Sequence, residues 1–193
     1  MEGLIDKNVK SDEYEIFVSP GRLDDYGYWW PAEGGDTVYL PTELDYPDST
    51  GKIVTRQVNG IGKYGEHWGY PPYYPITNII IVGDFTEFNI PSFAFETSPL
   101  RKITIPSNST VGYKAFAEST NLESVFVGKN VTFETNVFDG CTALTSIWME
   151  EQAPADNARP SWVPDGVEIV YGKTFDEFWP DRWKPSSEQT PSV

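Results

Sequence analysis

Leu100-Arg101-Lys102-Ile103-Thr104-Ile105-Pro106, followed by Val111-Gly112-Tyr113-Lys114-Ala115-Phe116, is the stretch on which the fold turns. Its apolar positions recur along the chain. Leu100, Leu122 and Leu144 stand 22 residues apart. Three residues after each comes a β-branched residue (Ile103, Val125, Ile147), and two further on another apolar one (Ile105, Val127, Met149). Ile76, Ile79 and Ile81 give the same spacing one unit earlier. Phe95, Phe116 and Phe138 follow at steps of 21 and 22, preceded by Ala94, Ala115 and Val137, with Ile90, Val111 and Phe133 five residues before them. Several columns sharing one period are the mark of a repeat architecture, in which one short coil cannot bury its core and stacked coils can. Alternation within each strand sends its flanking residues inward, and the phenylalanine fills the coil from the opposite wall. Segments such as 106–110 and 128–131 are short and polar, so strands and turns are expected in each coil and not a helix.

The unit Leu-x-x-Ile-x-Ile-Pro with its Ala-Phe segment, and the junction Val137-Phe138-Asp139-Gly140-Cys141-Thr142-Ala143-Leu144, resembles the BspA-like branch of the leucine-rich repeats over about residues 76–150. The resemblance implies a bacterial cell-surface solenoid, exported and typical of anaerobes; residues 1–6 lack a signal peptide's basic and apolar regions, so the expectation is a mature form with the signal removed, or else a cytosolic protein. It implies no particular ligand. The expected architecture is a β-rich right-handed solenoid of about four to five short coils, with an irregular aromatic-rich cap at the N-terminus and a short capping helix at the C-terminus. Val38-Tyr39-Leu40-Pro41 reads as the strand of an earlier coil and residues 51–62 as the second half of one. The coils are expected over 36–171, after a lead-in at 1–35, with insertions at about 63–75 and 153–166. Val167–Tyr171 reads as a last strand. Thr174-Phe175-Asp176-Glu177 has the form of a capping box, opening a helix through Phe178, Trp179 and Trp183 that would close the core as a cap over 172–184. The polar tail 185–193 is expected to be loose.

Composition narrows the function. A net charge of −15 over 193 residues argues against nucleic acid and anionic membranes, both of which require a basic face. No stretch is long and apolar enough for a membrane span. A single cysteine, Cys141, and a single histidine, His67, lie more than three repeats apart, so neither a nucleophile–base pair nor a closed zinc shell is expected. Cys141 is read instead as a small junction side chain, in the place that Ser98 and Ser119 take in neighbouring units. Asp24, Asp25, Asp36, Asp45 and Asp48 lie in turn-rich sequence but lack the spacing of a calcium loop. Glycoside hydrolysis needs two carboxylates facing across a cleft, which a single row of short coils does not provide. No catalysis, cofactor or metal is expected.

Two features point to binding. Tyr39, Ile80, Thr104, Phe126 and Trp148 stand between the inward positions of successive strands and face outward, on the surface that solenoids use for recognition. An apolar column of that size is either an interaction site or a seam covered by 1–35, by 153–166 or by a second copy of the chain. Aromatic clusters, Tyr26, Tyr28, Trp29 and Trp30 in the lead-in and His67, Trp68, Tyr70, Tyr73 and Tyr74 in the insertion, either stack on sugar rings or a protein partner or pack together over the N-terminal end of the core. The expected function is a surface or secreted adhesion module for a protein or glycan. A structural spacer without a ligand is the alternative, and a glycan-acting hydrolase or calcium-dependent module stands behind both.

Overall fold

A computed structural model describes residues 9–11, 14–16, 21–23, 28–31, 37–40, 42–47, 52–61, 77–81 and 83–180. In chain order the strands are β1 (Val9–Ser11), β2 (Tyr14–Ile16), β3 (Gly21–Leu23), β4 (Tyr28–Pro31), β5 (Thr37–Leu40), β6 (Glu43–Pro47), β7 (Ile53–Gln57) and β8 (Gly60–Ile61). They continue with β9 (Asn78–Ile81), β10 (Phe88–Ile90), β11 (Lys102–Ile105), β12 (Ser109–Val111), β13 (Ser124–Val127), β14 (Thr132–Phe133), β15 (Ser146–Met149) and β16 (Glu168–Val170). One helix, α1 (Phe175–Phe178), follows.

The strands form a solenoid of about four turns. Each coil lays one strand in a first sheet, ordered β16-β15-β13-β11-β9-β5, and a shorter one in a second sheet, ordered β14-β12-β10-β8-β4-β3. The first sheet is parallel throughout, and its register matches the sequence repeat: Lys102 lies opposite Ser124, and Ser124 opposite Ser146. The corners are also bonded coil to coil, since Gly128 N–H donates to Ile105 C=O at 2.9 Å and Phe116 N–H to Val137 C=O at 2.9 Å. Those hydrogen bonds satisfy backbone groups that a lone coil would leave open.

The inward columns are buried as their periodicity requires. Leu100, Leu122, Ile103, Val125, Ile147, Ile90 and Val111 join one core with the phenylalanines. Phe95, Phe116 and Phe138 stack face to face along the axis, with centroids 5.2 and 5.4 Å apart and planes within 12°. Close stacking restricts the corners. A Cβ on Gly128 would stand 2.5 Å from the Ser107 nitrogen, and one on Gly112 would collide with the Ser92 backbone. Left-handed conformations recur at matching places in successive coils, among them Phe93, Lys114 and Asn136, each just before its Ala-Phe or Val-Phe pair, and Thr97, Glu118 and Gly140 just after it.

Three sequence expectations change. The lead-in contributes β4, which pairs in parallel with β8, so the second sheet begins ahead of residue 36. Residues 53–57 do not belong to a coil: β7 pairs with β6 in an antiparallel hairpin, with Tyr46 opposite Val54. The third change concerns the C-terminal end of the core. Among the described residues it is closed by 160–167 and not by α1, because Val163 and Val167 join the core and Trp162 stacks on Phe133 at 3.8 Å, while Trp183 lies outside the described residues. Arg159 holds that cap by donating to the carbonyl oxygens of Pro164 and Val167.

Phe116→Ala removes the middle ring of the ladder and is expected to cost about 3–5 kcal/mol, read as a fall in the chemical-denaturation midpoint. An unchanged midpoint would contradict the stacking.

Candidate binding face

The residues between inward positions fall in one line across the first sheet. Tyr39 pairs with Ile80, Thr104 with Phe126, Phe126 with Trp148, and Trp148 with Val170, a member that the sequence reading missed. Ile80 and Phe126 are buried yet stand outside the core cluster, so they belong to the other side of the sheet. Of the two readings of this column, an open site or a covered seam, the described residues show cover: Ile80, Thr104 and Phe126 are buried, and Trp148 is half-buried.

Among the described residues, the cover over Thr104, Phe126 and Trp148 is the chain's own C-terminal segment, which the sequence reading did not consider for that role. Phe178 sets its ring 5.7 Å from Phe126 and, edge-on, 5.7 Å from Trp148. Phe175 meets Phe126 at 6.0 Å, also edge-on. The Trp179 indole N–H donates to Thr104 Oγ1 at 3.0 Å, which satisfies a hydroxyl that would otherwise be buried without that partner. Lys102 Nζ donates to the Phe178 carbonyl oxygen at 2.9 Å and lies 4.3 Å from the centroids of both the Phe178 and Trp179 rings. Aromatic pairs contribute about 0.5–1.5 kcal/mol each beyond burial, and a cation over a ring about 0.5–2 kcal/mol. A helix of four residues has no stability of its own in water, so its seat holds it.

The start of α1 follows the sequence reading. Thr174 Oγ1 accepts from the Glu177 N–H, and the Glu177 carboxylate accepts from the Thr174 N–H at 2.8 Å. Lys173 donates to the same carboxylate at 2.8 Å. The Lys173 ammonium and then the Thr174 N–H hold the Glu177 carboxyl down at about 2. What the sequence did not reveal is where this helix docks. Lys102 was also missed, since nothing in its local sequence marks it as the cation under a distant helix.

Cys141 occupies the junction column expected of it. Its thiol donates to the Phe116 carbonyl oxygen at 3.0 Å, one coil along from the Ser119 hydroxyl that donates to Phe95 C=O at 2.6 Å. Burial pushes the thiol up to about 12, so it stays protonated at neutral pH and is a poor nucleophile. A cleft of about 360 Å3 lies beside it, between the 136–142 turn and 161–164. No group of three or more His, Cys, Asp or Glu able to hold a metal occurs among the described residues. The backbone of Trp29 and Trp30 lies in β4; Trp68, Tyr70, Tyr73 and Tyr74 fall outside the described residues.

Residues 73–155 match the family model for the BspA type leucine rich repeat region, in six copies. Neither a curated protein nor a solved structure matches the chain. No helix among the described residues is long and apolar enough to cross a membrane.

Two measurements check this geometry. Cys141 should resist alkylation at pH 8 in the native chain and react at once in denaturant. Because its folded value lies above its unfolded one, the stability it contributes is complete below about 9 and is lost as pH rises toward about 12. Glu177 runs the other way. Its lowered value means that the cap is intact above about 4.5 and is lost as pH falls toward about 2. Fluorine NMR of fluorotryptophan-labelled chain should show the Trp179 resonance moving over that acid range, while that of Trp162 moves only when the core unfolds.

Proposed function

With residues 73–155 a BspA-type leucine-rich repeat region, we propose that this chain is a non-catalytic binding module presented outside the cell, which recognises a protein through the outer face of its first sheet. Leucine-rich-repeat domains typically mediate protein binding, and those of the BspA type are typically found at cell surfaces. The observation that carries the reading is the outward column from Ile80 to Val170, because it sets apolar and aromatic groups on the side of the sheet away from the core. Large rings in a line, flanked by polar groups at their edges, are the usual material of a protein hot spot. The aromatic clusters at Trp29–Trp30 and Trp68–Tyr74 are proposed as secondary contacts.

Labelled full-length chain should bind at least one extracellular protein on an array saturably, and Trp148→Ala should weaken that binding about tenfold with the far-ultraviolet spectrum unchanged. A replacement of one central aromatic commonly costs more than about 1 kcal/mol at such a site. Binding indifferent to Trp148→Ala, or confined to glycans, would move the site off this face.

A further inference from the structure

The proposed face already holds a peptide, and that peptide describes what the face accepts. Residues 174–179, Thr-Phe-Asp-Glu-Phe-Trp, place two rings against Phe126, one of them also against Trp148, and give a backbone carbonyl to Lys102 and an indole N–H to Thr104. None of these contacts reaches the core cluster, which excludes Phe126, Phe178 and Trp179. The core end is closed independently by Trp162, Val163 and Val167. Lifting the segment would therefore expose the column without opening the core.

Three features suit this seat to exchange of its occupant. The helix is one turn long, so it folds by binding, as a short peptide partner would. Its connection to β16 passes through Gly172, whose φ of 65° suits glycine, and is tied down by single hydrogen bonds from Gly172 to Glu151 and from Lys173 to Met149. The recognition is also chemically specific. Lys102 lies under the aromatic end of the segment, 4.3 Å from both ring centroids, and Lys173 lies over the Trp148 ring.

We propose that the outer face is a receptor for short aromatic helical peptides, that residues 174–179 are its resident occupant, and that a protein partner engages it by presenting a segment of the same chemistry in their place. This rests on the binding reading above and names the class of partner. The segment acts as an autoinhibitory strap, because no incoming segment reaches Phe126, or the edge of Trp148 under Phe178, while Phe178 lies on them.

The test is a titration of full-length chain with a labelled synthetic peptide of sequence 172–180. Phe178→Ala/Trp179→Ala loosens the strap and should bind the peptide saturably, at least tenfold more tightly than the unaltered chain. The peptide carrying the same two alanines should not bind. Trp179→Ala alone, which leaves Phe178 on Phe126, is the milder variant should the double one fail to fold, and should fall between. Fluorine NMR reports whether the Trp148 environment opens in each variant and closes again with peptide. Chains that are folded and opened at Trp148 yet bind no peptide overturn the proposal, as does binding that leaves Trp148 unmoved. A shift to dimers without peptide binding also overturns it, in favour of contact between copies. In each case a protein captured on the array through Trp148 would leave the binding module standing and remove only the peptide class. Loss of Trp148-dependent capture with peptide binding intact would do the reverse.

Discussion

Everything in this molecule follows from the requirement that each coil lie flat against the next. One coil encloses too little apolar volume to form a core, so the inward side chains contact chiefly their equivalents one repeat along the axis. The stack of Phe95, Phe116 and Phe138 makes this concrete, with ring planes almost parallel and centroids a little over 5 Å apart. Such spacing leaves no room at the corners for a side chain that points along the axis. Gly112 and Gly128 meet that limit by having none. Ser98, Ser119 and Cys141 meet it with short groups that donate to a neighbour, the Ser119 hydroxyl and Cys141 thiol to carbonyl oxygens of the preceding coil. The left-handed residues Phe93, Lys114 and Asn136 turn the chain where the phenylalanine must enter the core, each at an intrinsic cost of order 1–3 kcal/mol that the stack offsets.

The same register that aligns the core aligns the outside. Parallel pairing puts Thr104 beside Phe126 and Phe126 beside Trp148 without regard to whether their rings face water. An outward column of this kind is costly to leave exposed, yet it cannot be tucked into a core on the opposite side of the sheet. The chain resolves this by returning its C-terminal segment over the column. Because that segment contacts the face through rings, one indole N–H and one carbonyl, its attachment is local and separable from the stability of the coils.

The coils were legible in the sequence because stacking imposes one period on several columns at once, and the buried residues are those that the period selects. Cys141 was legible for the same reason, through its serine equivalents. The ends were not, since an end has no neighbour to repeat. Thr174 and Glu177 announce where a helix begins, because a capping box is a local arrangement, but they carry no information about the surface it meets. Trp162 has no periodic partner, and only its stacking on Phe133 identifies it as the core's terminal cover. The β6–β7 hairpin was hidden because residues 51–62 resemble the second half of a coil, and what distinguishes Ile53–Gln57 is an antiparallel partner strand just before it in the chain.

A tethered occupant sets a threshold for any partner. The strap reaches its seat through a link of a few residues, so it competes at an effective concentration in the millimolar range or above. A free peptide making only the strap's contacts would rarely win that competition. A protein that presents the same motif on a larger surface would, because contacts beyond the seat add to its side of the exchange alone. The seat therefore discriminates twice, first by ring and carbonyl chemistry at Phe126, Trp148 and Lys102, and then by the additional area a partner brings to the rest of the sheet. Charge works in the same direction. Lys102, a cation in a chain of net charge −15, adds to the hold on a partner's rings at this seat.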